Sequence, residues 1–150
     1  MRGFIFIVCL FICSVLKSQI DSSLAYSFLK TKYSLFKDKI DIPKSFFKGY
    51  KKITNKDFVI ANTGDTFNPT DVLYSGIPNK KLMFLGLDST KKTGFILYQQ
   101  GGQVVTSHIL LFDVSSKRKP KLFGLYLNKE PRNFEELKVI ISNLSKHGFS

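Results

Sequence analysis

The sequence predicts an α+β fold: an N-terminal helix, a five- to six-stranded, mainly antiparallel meander sheet, and a C-terminal helix. Two observations predict it. Between Lys80 and Leu127, four apolar runs alternate with short polar breaks rich in Gly, Pro, Ser, Asp or Lys, which is typical of consecutive antiparallel strands. On either side of this stretch, apolar residues recur with the spacing of an amphipathic helix.

Residues 1–18 are predicted to be a signal peptide and not part of the fold. A basic start is followed by the apolar run Phe4–Leu16 and by a return to polar sequence at Lys17. This order is typical of secretory leaders, and the run is too short to span a bilayer comfortably. We expect cleavage near Ser18–Gln19. Residues 19–150 would then form a single exported domain, periplasmic or secreted.

Both cysteines, Cys9 and Cys13, lie inside this leader. The mature chain is therefore expected to lack thiol catalysis, thiolate metal sites and internal disulfides. One alternative is a lipid anchor at Cys13, which would hold the protein on a membrane. The preceding Ile12 argues against it, because a small residue normally stands there.

The chain is strongly basic, with 23 Lys and Arg against 11 Asp and Glu, and a formal net charge of +12. Such a charge favours contact with an acidic partner or an anionic surface, although a solvated lysine-rich exterior gives the same composition. Only three of the cations are arginines. Because bidentate phosphate recognition prefers guanidinium, no nucleic-acid partner is expected.

Near the start of the mature chain, Asp21-Ser22-Ser23 offers helix-capping oxygens, and the pattern predicts a helix that continues to about Lys39. Leu24, Phe28 and Leu35 fall on one face of that helix. Packing of this face on the domain's own sheet is the expected arrangement. A role at a membrane surface is the alternative for a basic amphipathic helix.

The stretch from Ile42 to Asp57 alternates lysines with aromatic residues. The candidate binding residues taken from it are Lys44, Phe47, Lys48, Tyr50, Lys51 and Lys52. Cations interleaved with aromatic rings suit an anionic surface. The same pattern also fits a short connecting helix whose aromatic side chains point inward while the lysines reach solvent.

Two further strands are predicted between this stretch and the meander, at Asp57–Asn62 and Asp71–Tyr74. The oxygen-rich loop between them has too few carboxylates at too wide a spacing for calcium, and turn and cap hydrogen bonds explain its residues. No metal site is therefore predicted here.

The predicted meander strands are Leu82–Leu87, Gly94–Gln99, Ser107–Val114 and Lys121–Leu127. They are apolar on both faces, since Leu82 and Phe84 alternate with Met83 and Leu85, whereas a sheet with one wet face would show polar residues at alternate positions. We expect helices to cover one face and the segment before Lys80 to cover the other. A face left uncovered would be the best candidate for a binding site.

The C-terminal helix is predicted to open at Pro131 and Asn133, with Glu136 three residues further on, as in a capping box. It would end near Lys146-His147-Gly148. Its apolar stripe consists of Phe134, Leu137, Ile140, Ile141 and Leu144.

The sequence contains little that indicates catalysis. His108 and Asp113 are separated by an odd number of residues in one strand, so they lie on opposite faces and cannot form a dyad there. No zinc set, phosphate-binding glycine loop or cofactor motif is present. An enzyme would have to bring Asp65 and Asp71 to His108 by folding.

The function that these observations favour is a small exported binding protein without catalytic activity, acting in the cell envelope or outside the cell. It would bind a protein partner or an anionic surface, through a sheet face or through the surface of residues 44–56. The alternatives are a secreted hydrolase with Asp and His chemistry, and a basic module that binds anions or membrane surfaces.

Overall fold

The computed structural model describes residues 23–72 and 75–147, except for the side chain of residue 147. The helices are α1 (23–30), α2 (Lys44–Thr54) and α3 (Phe134–His147). The strands are β1 (Ser34–Phe36), β2 (Lys80–Leu87), β3 (Thr93–Gln100), β4 (Thr106–Asp113) and β5 (Lys121–Leu127). This order of elements confirms the predicted α+β fold.

Several predictions fall outside the described residues. They are the leader with Cys9 and Cys13, the helix cap at Asp21-Ser22, the pair Leu73-Tyr74, and the helix end at Gly148. Asp71, which opens the second predicted short strand, lies in a bend. Within the two described ranges, no helix is long and apolar enough to cross a membrane.

The sheet is an open, fully antiparallel meander in the order β1-β2-β3-β4-β5. Each end of the four predicted meander strands lies within two residues of its observed position. Side chains in register form rows across the sheet. One row joins Phe95, Leu111 and Phe123, all buried on the same face.

A bulge in β2 changes which of its side chains share a face. The pairing of β2 with β3 shifts between Leu82 and Phe84. Leu82 and Leu85 are therefore buried in the same core, while Met83 and Phe84 pack against the opposite one. The prediction that Leu82 and Phe84 lie on the same face was wrong. A bulge adds one residue to the strand, so the side chains after it point to the opposite faces from those that strict alternation predicts.

Each face of the sheet carries its own apolar core. The α2-side core consists of Ile42, Phe46, Phe58, Ile60, Leu82, Leu85, Leu87, Ile96, Tyr98, Leu110, Phe112 and Val114. The α3-side core consists of Leu24, Ala25, Phe28, Phe95, Leu97, Ile109, Leu111, Phe123, Leu127, Leu137 and Ile141. Helices α1 and α3 cover one face, and the segment before Lys80 covers the other, as expected from strands that are apolar on both sides.

The predicted N-terminal helix ends earlier than expected. Leu24 and Phe28 are buried in the α3-side core, but Leu35 is 49% exposed. The prediction of helix up to Lys39 was wrong, because the chain there forms β1, which pairs with Leu85–Leu87 of β2. Pairing with the outer edge of β2 satisfies backbone N–H and C=O groups that the edge would otherwise leave unpaired. The spacing of apolar residues within one segment gives no information about a strand elsewhere in the chain with which it can pair.

The strand predicted at Asp57–Asn62 is not part of the sheet. Phe58 and Ile60 are buried, but the segment makes only one isolated parallel bridge, between Ala61 and Lys81. The sheet therefore has five strands. β3 pairs along one edge of β2, and β1 pairs with residues 85–87 of the other edge. Beside the rest of that edge, the segment contributes only the Ala61 bridge, in which the backbone N–H of Ala61 donates to the carbonyl of Lys80 and the backbone N–H of Leu82 donates to the carbonyl of Ala61.

Helix α3 confirms the predicted start and apolar stripe. Asn133 Oδ1 accepts a hydrogen bond from the backbone N–H of Glu136 at 2.9 Å. The Glu136 carboxylate reaches back to the backbone N–H of Arg132 at 2.7 Å and to the Arg132 guanidinium at 2.8 Å. Leu137 and Ile141 are fully buried. The capping residues thus satisfy free N–H groups at the start of the helix.

We expect Glu136→Gln to destabilise the protein in a pH-dependent way. The hydrogen bonds from the Arg132 side chain and backbone lower the pKa of Glu136 from 4.5 to about 2. A lowered folded-state pKa stabilises the protein above the unfolded-state value and loses that effect as the pH falls through the folded-state value. The difference in Tm between wild type and variant should therefore be largest above pH 4.5 and shrink towards pH 2.

Glu135→Gln is the matched control, because it removes the same charge one position earlier, where the carboxylate contacts Lys138 in an exposed pair at 2.9 Å. Thermal unfolding followed by circular dichroism measures both series. A Glu136→Gln difference that does not change with pH would contradict the expected linkage.

Candidate functional site

Helix α2 is held against the sheet by one buried ring. Phe46 is fully buried and contacts Phe112 and Phe58, with ring centroids 4.9 Å and 5.2 Å away. The helix ends at Asn55, which adopts the left-handed conformation (φ 56°) and donates its backbone N–H to the carbonyl of Lys51. Phe46 thus fixes the position of α2 on the sheet near the start of the helix, and the cap at Asn55 fixes where the helix ends.

The six residues predicted to bind a partner divide between the two sides of α2. Phe47 and Tyr50 are half-buried and pack against the α2-side core. The lysines are exposed: Lys44, Lys48, Lys51 and Lys52. The aromatic rings therefore follow the connecting-helix interpretation, and binding by the lysines stays a prediction.

A cleft of about 340 Å³ lies between α2 and the loop that joins β4 to β5. The helix contributes Ser45, Lys48, Gly49 and Lys52, which follow one face of α2 over two turns. The loop contributes Val114, Ser116, Lys117 and Pro120. Val114 and Gly49 are buried and form the apolar base of the cleft, while both serines and all three lysines are exposed at its rim.

The close approach of loop and helix depends on Gly49. A Cβ atom at this position would lie 2.9 Å from Cγ1 of Val114 and 3.2 Å from Cβ of Pro120. Both distances are shorter than comfortable carbon–carbon contacts. The absence of a side chain at residue 49 therefore lets the base of the cleft close.

Lys52 ties the loop to the helix. Its Nζ donates hydrogen bonds to the backbone carbonyls of Lys117 at 3.2 Å and Arg118 at 2.9 Å. At the start of the loop, Asp113 Oδ1 accepts hydrogen bonds from the backbone N–H and hydroxyl of Ser115 at 2.9 Å and 2.6 Å. The loop is thus held by side chains at its start and at its middle.

Positive charge is concentrated around this cleft. Residues 44–56 contain five lysines, and residues 117–121 add three lysines and Arg118. Of these cations, only Lys51 has a described carboxylate partner, Asp57, at 3.0 Å. Neither Lys48 nor Lys117 has an ion-pair or hydrogen-bond partner for its ammonium group within residues 23–72 and 75–147.

The loop half of this basic surface was not identified from the sequence. Lys117 and Lys48 are far apart in the chain, and they line the same cleft only because α2 docks over β4 and β5. The run Lys117-Arg118-Lys119 was a signal that could have found it, since clustered cations in a short strand connection are exposed whatever the fold.

The residues of the hydrolase alternative are not brought together. His108 on β4 stacks on Tyr98 at 5.5 Å, and its Nε2 lies 2.8 Å from the Thr106 hydroxyl. Burial, and then the charge of Lys80, lower the pKa of His108. Asp65 instead accepts a hydrogen bond from the backbone N–H of Asn62 at 3.1 Å.

The carboxylates of Asp71 and Asp113 are likewise not partners of His108. Asp71 is exposed, and Asp113 is engaged by Ser115 at the far end of β4. Among the residues that the structure describes, no group of three or more His, Cys, Asp or Glu side chains is placed to hold a metal ion. The described contacts thus give His108 neither a carboxylate partner nor a metal site.

Comparison of the chain with family models, with curated proteins and with solved structures gives no match in any of the three.

Proposed function

We propose that this chain is a small exported binding protein without catalytic activity, and that it binds an anionic partner on the surface formed by α2 and the β4–β5 loop. The main support is the set of exposed cations around the cleft, among them Lys48 and Lys117, whose ammonium groups have no ion-pair partner in the part of the chain that the structure describes. Exposed cations with no intramolecular carboxylate remain free to attract an acidic partner.

The coverage of the sheet favours the surface of α2 and the β4–β5 loop over a sheet face as the binding site. Among the described residues, α1 and α3 cover one sheet face and residues 42–60 cover the other, so neither face presents an open apolar surface there. A partner protein or another anionic surface would therefore meet the lysine-rich side of α2. The predicted leader at residues 1–18 supports placement in the cell envelope or outside the cell.

Binding to poly-L-glutamate, measured by isothermal titration calorimetry, tests the proposal. We expect the double variant Lys48→Gln/Lys117→Gln to weaken binding about two- to thirtyfold, since each of the two exposed charge pairs contributes about 0.2–1 kcal/mol. Binding should also weaken steeply with added salt. The protein is expressed from its full sequence, and mass spectrometry of the released form should give an N-terminus at Gln19.

The matched control is Lys30→Gln/Lys146→Gln, which removes the same charge from exposed positions on α1 and α3, across the sheet. An equal loss of affinity in both double variants would contradict a localised site and would show that binding depends only on the net charge of the protein. Retention of residues 1–18 in a cytosolic product would contradict export.

A further inference from the structure

The cleft has two chemically different parts. Its base is apolar and is formed by Val114, Pro120 and the backbone of Gly49. Its rim carries Lys48 and Lys117 from opposite walls. A ligand that fits both parts needs an apolar group to enter the base and negative charge beside it.

The three rim lysines are not equivalent. Lys52 uses its ammonium group to bind two loop carbonyls, so it positions the wall of the cleft. Within the described ranges, the ammonium groups of Lys48 and Lys117 have no hydrogen-bond or ion-pair partner, so they are available to a ligand. The cationic part of the site therefore consists of two lysines held on either side of the apolar base.

The volume of the cleft limits the size of the inserted group. About 340 Å³ is near the lower end of the roughly 300–1,000 Å³ found for ligand pockets, which suits one large apolar side chain. The positive charge extends well beyond the cleft, through residues 44–56 and 117–121. A partner that uses both features has an apolar side chain flanked by several acidic groups.

The kind of cation favours carboxylates over phosphates. All but one of the cations around the cleft are lysines, and a lysine ammonium acts as a point charge, whereas the guanidinium of arginine matches phosphate in a bidentate way. We propose that the cleft receives one large apolar side chain from an acidic peptide segment of a protein partner, with flanking carboxylates at Lys48 and Lys117. This inference rests on the function proposed above and gives the chemistry of the partner.

Two fluorescein-labelled peptides test it by fluorescence anisotropy: a glutamate-rich peptide with Leu-Phe at its centre, and the same peptide with Ser-Ser there. We expect the first to bind about tenfold more tightly or better, since a tenfold ratio requires about 1.4 kcal/mol and full burial of a Leu or Phe side chain contributes about 1.5–3 kcal/mol. Ser45→Trp should remove this difference, because it fills the cleft without changing any charge.

Ser145→Trp is the matched control, because Ser145 is an exposed serine of α3, on the other face of the sheet. It should preserve the preference for the apolar peptide. Lys48→Gln should weaken both peptides alike by a few fold, and circular dichroism should show that all variants are folded.

The failures of the two proposals are distinguishable. One outcome separates them: both peptides bind equally, Ser45→Trp has no effect, and Lys48→Gln weakens binding of both peptides. That result would refute the apolar cleft site and leave the proposed anionic-partner surface in place. If neither peptide binds at low salt, both proposals fail. If Ser45→Trp instead weakens binding to phosphatidylglycerol vesicles and leaves peptide binding unchanged, the cleft belongs to a lipid and the inference is overturned.

Discussion

Replacing Phe95 by alanine should lower the free energy of unfolding by about 3–5 kcal/mol. Phe95 is fully buried at the centre of the α3-side core, where its ring stacks on Phe134 at 5.4 Å and meets Phe28 edge-on at 5.2 Å. It also covers Gly86, since a Cβ added there would lie 2.2 Å from the ring. Truncation would leave a cavity bounded by α1, α3 and β2.

Urea unfolding followed by circular dichroism measures this change. Val139→Ala serves as the control, because Val139 lies on α3 but is 59% exposed, and it should cost less than about 0.5 kcal/mol. A Phe95→Ala effect as small as that of Val139→Ala would contradict the docking of α1 and α3 over this ring.

Phe46→Ala is expected to cost a similar 3–5 kcal/mol and, in addition, to weaken acidic-peptide binding. Phe46 is the buried anchor of α2, and α2 carries Lys48 and Lys52. A loosened helix would no longer hold one wall of the cleft against the loop. Phe95→Ala disturbs the opposite face, so its folded molecules should bind as the wild type does.

The two variants are therefore controls for each other. Peptide anisotropy without denaturant, at a temperature where both variants are folded, compares their affinities, and urea unfolding compares their stabilities. Equal affinities in the two variants would show that binding does not depend on how α2 is seated, and would move the site away from the cleft.

The central strands could be predicted from the sequence because their signal is local. Strands β2 to β5 are dense in aromatic and aliphatic residues and are separated by clear turn residues, and α3 has both a capping signal and an apolar stripe. The elements that were predicted wrongly depend on contacts with residues far away in the chain. Ser34–Phe36 becomes a strand because it pairs with the outer edge of β2. Residues 57–62 stay outside the sheet because they bridge that edge only at Ala61, while Phe58 and Ile60 are buried in the α2-side core.

The candidate site shows the same limit. The lysines of α2 were identified from local composition, but the pattern could not decide whether Phe47 and Tyr50 face a partner or the core. The opposite wall of the cleft comes from a loop more than sixty residues further along the chain, as the Lys52–Lys117 hydrogen bond shows. Helix docking, which no single segment encodes, brings the two walls together.

The bonds from Lys52 to the loop bear on the kinetics of association. Because the carbonyls of Lys117 and Arg118 are already held, the loss of loop entropy occurs during folding and does not have to be repeated at each encounter with a partner. Differences in affinity among related partners should then lie mainly in how long each complex lasts, and much less in how fast it forms.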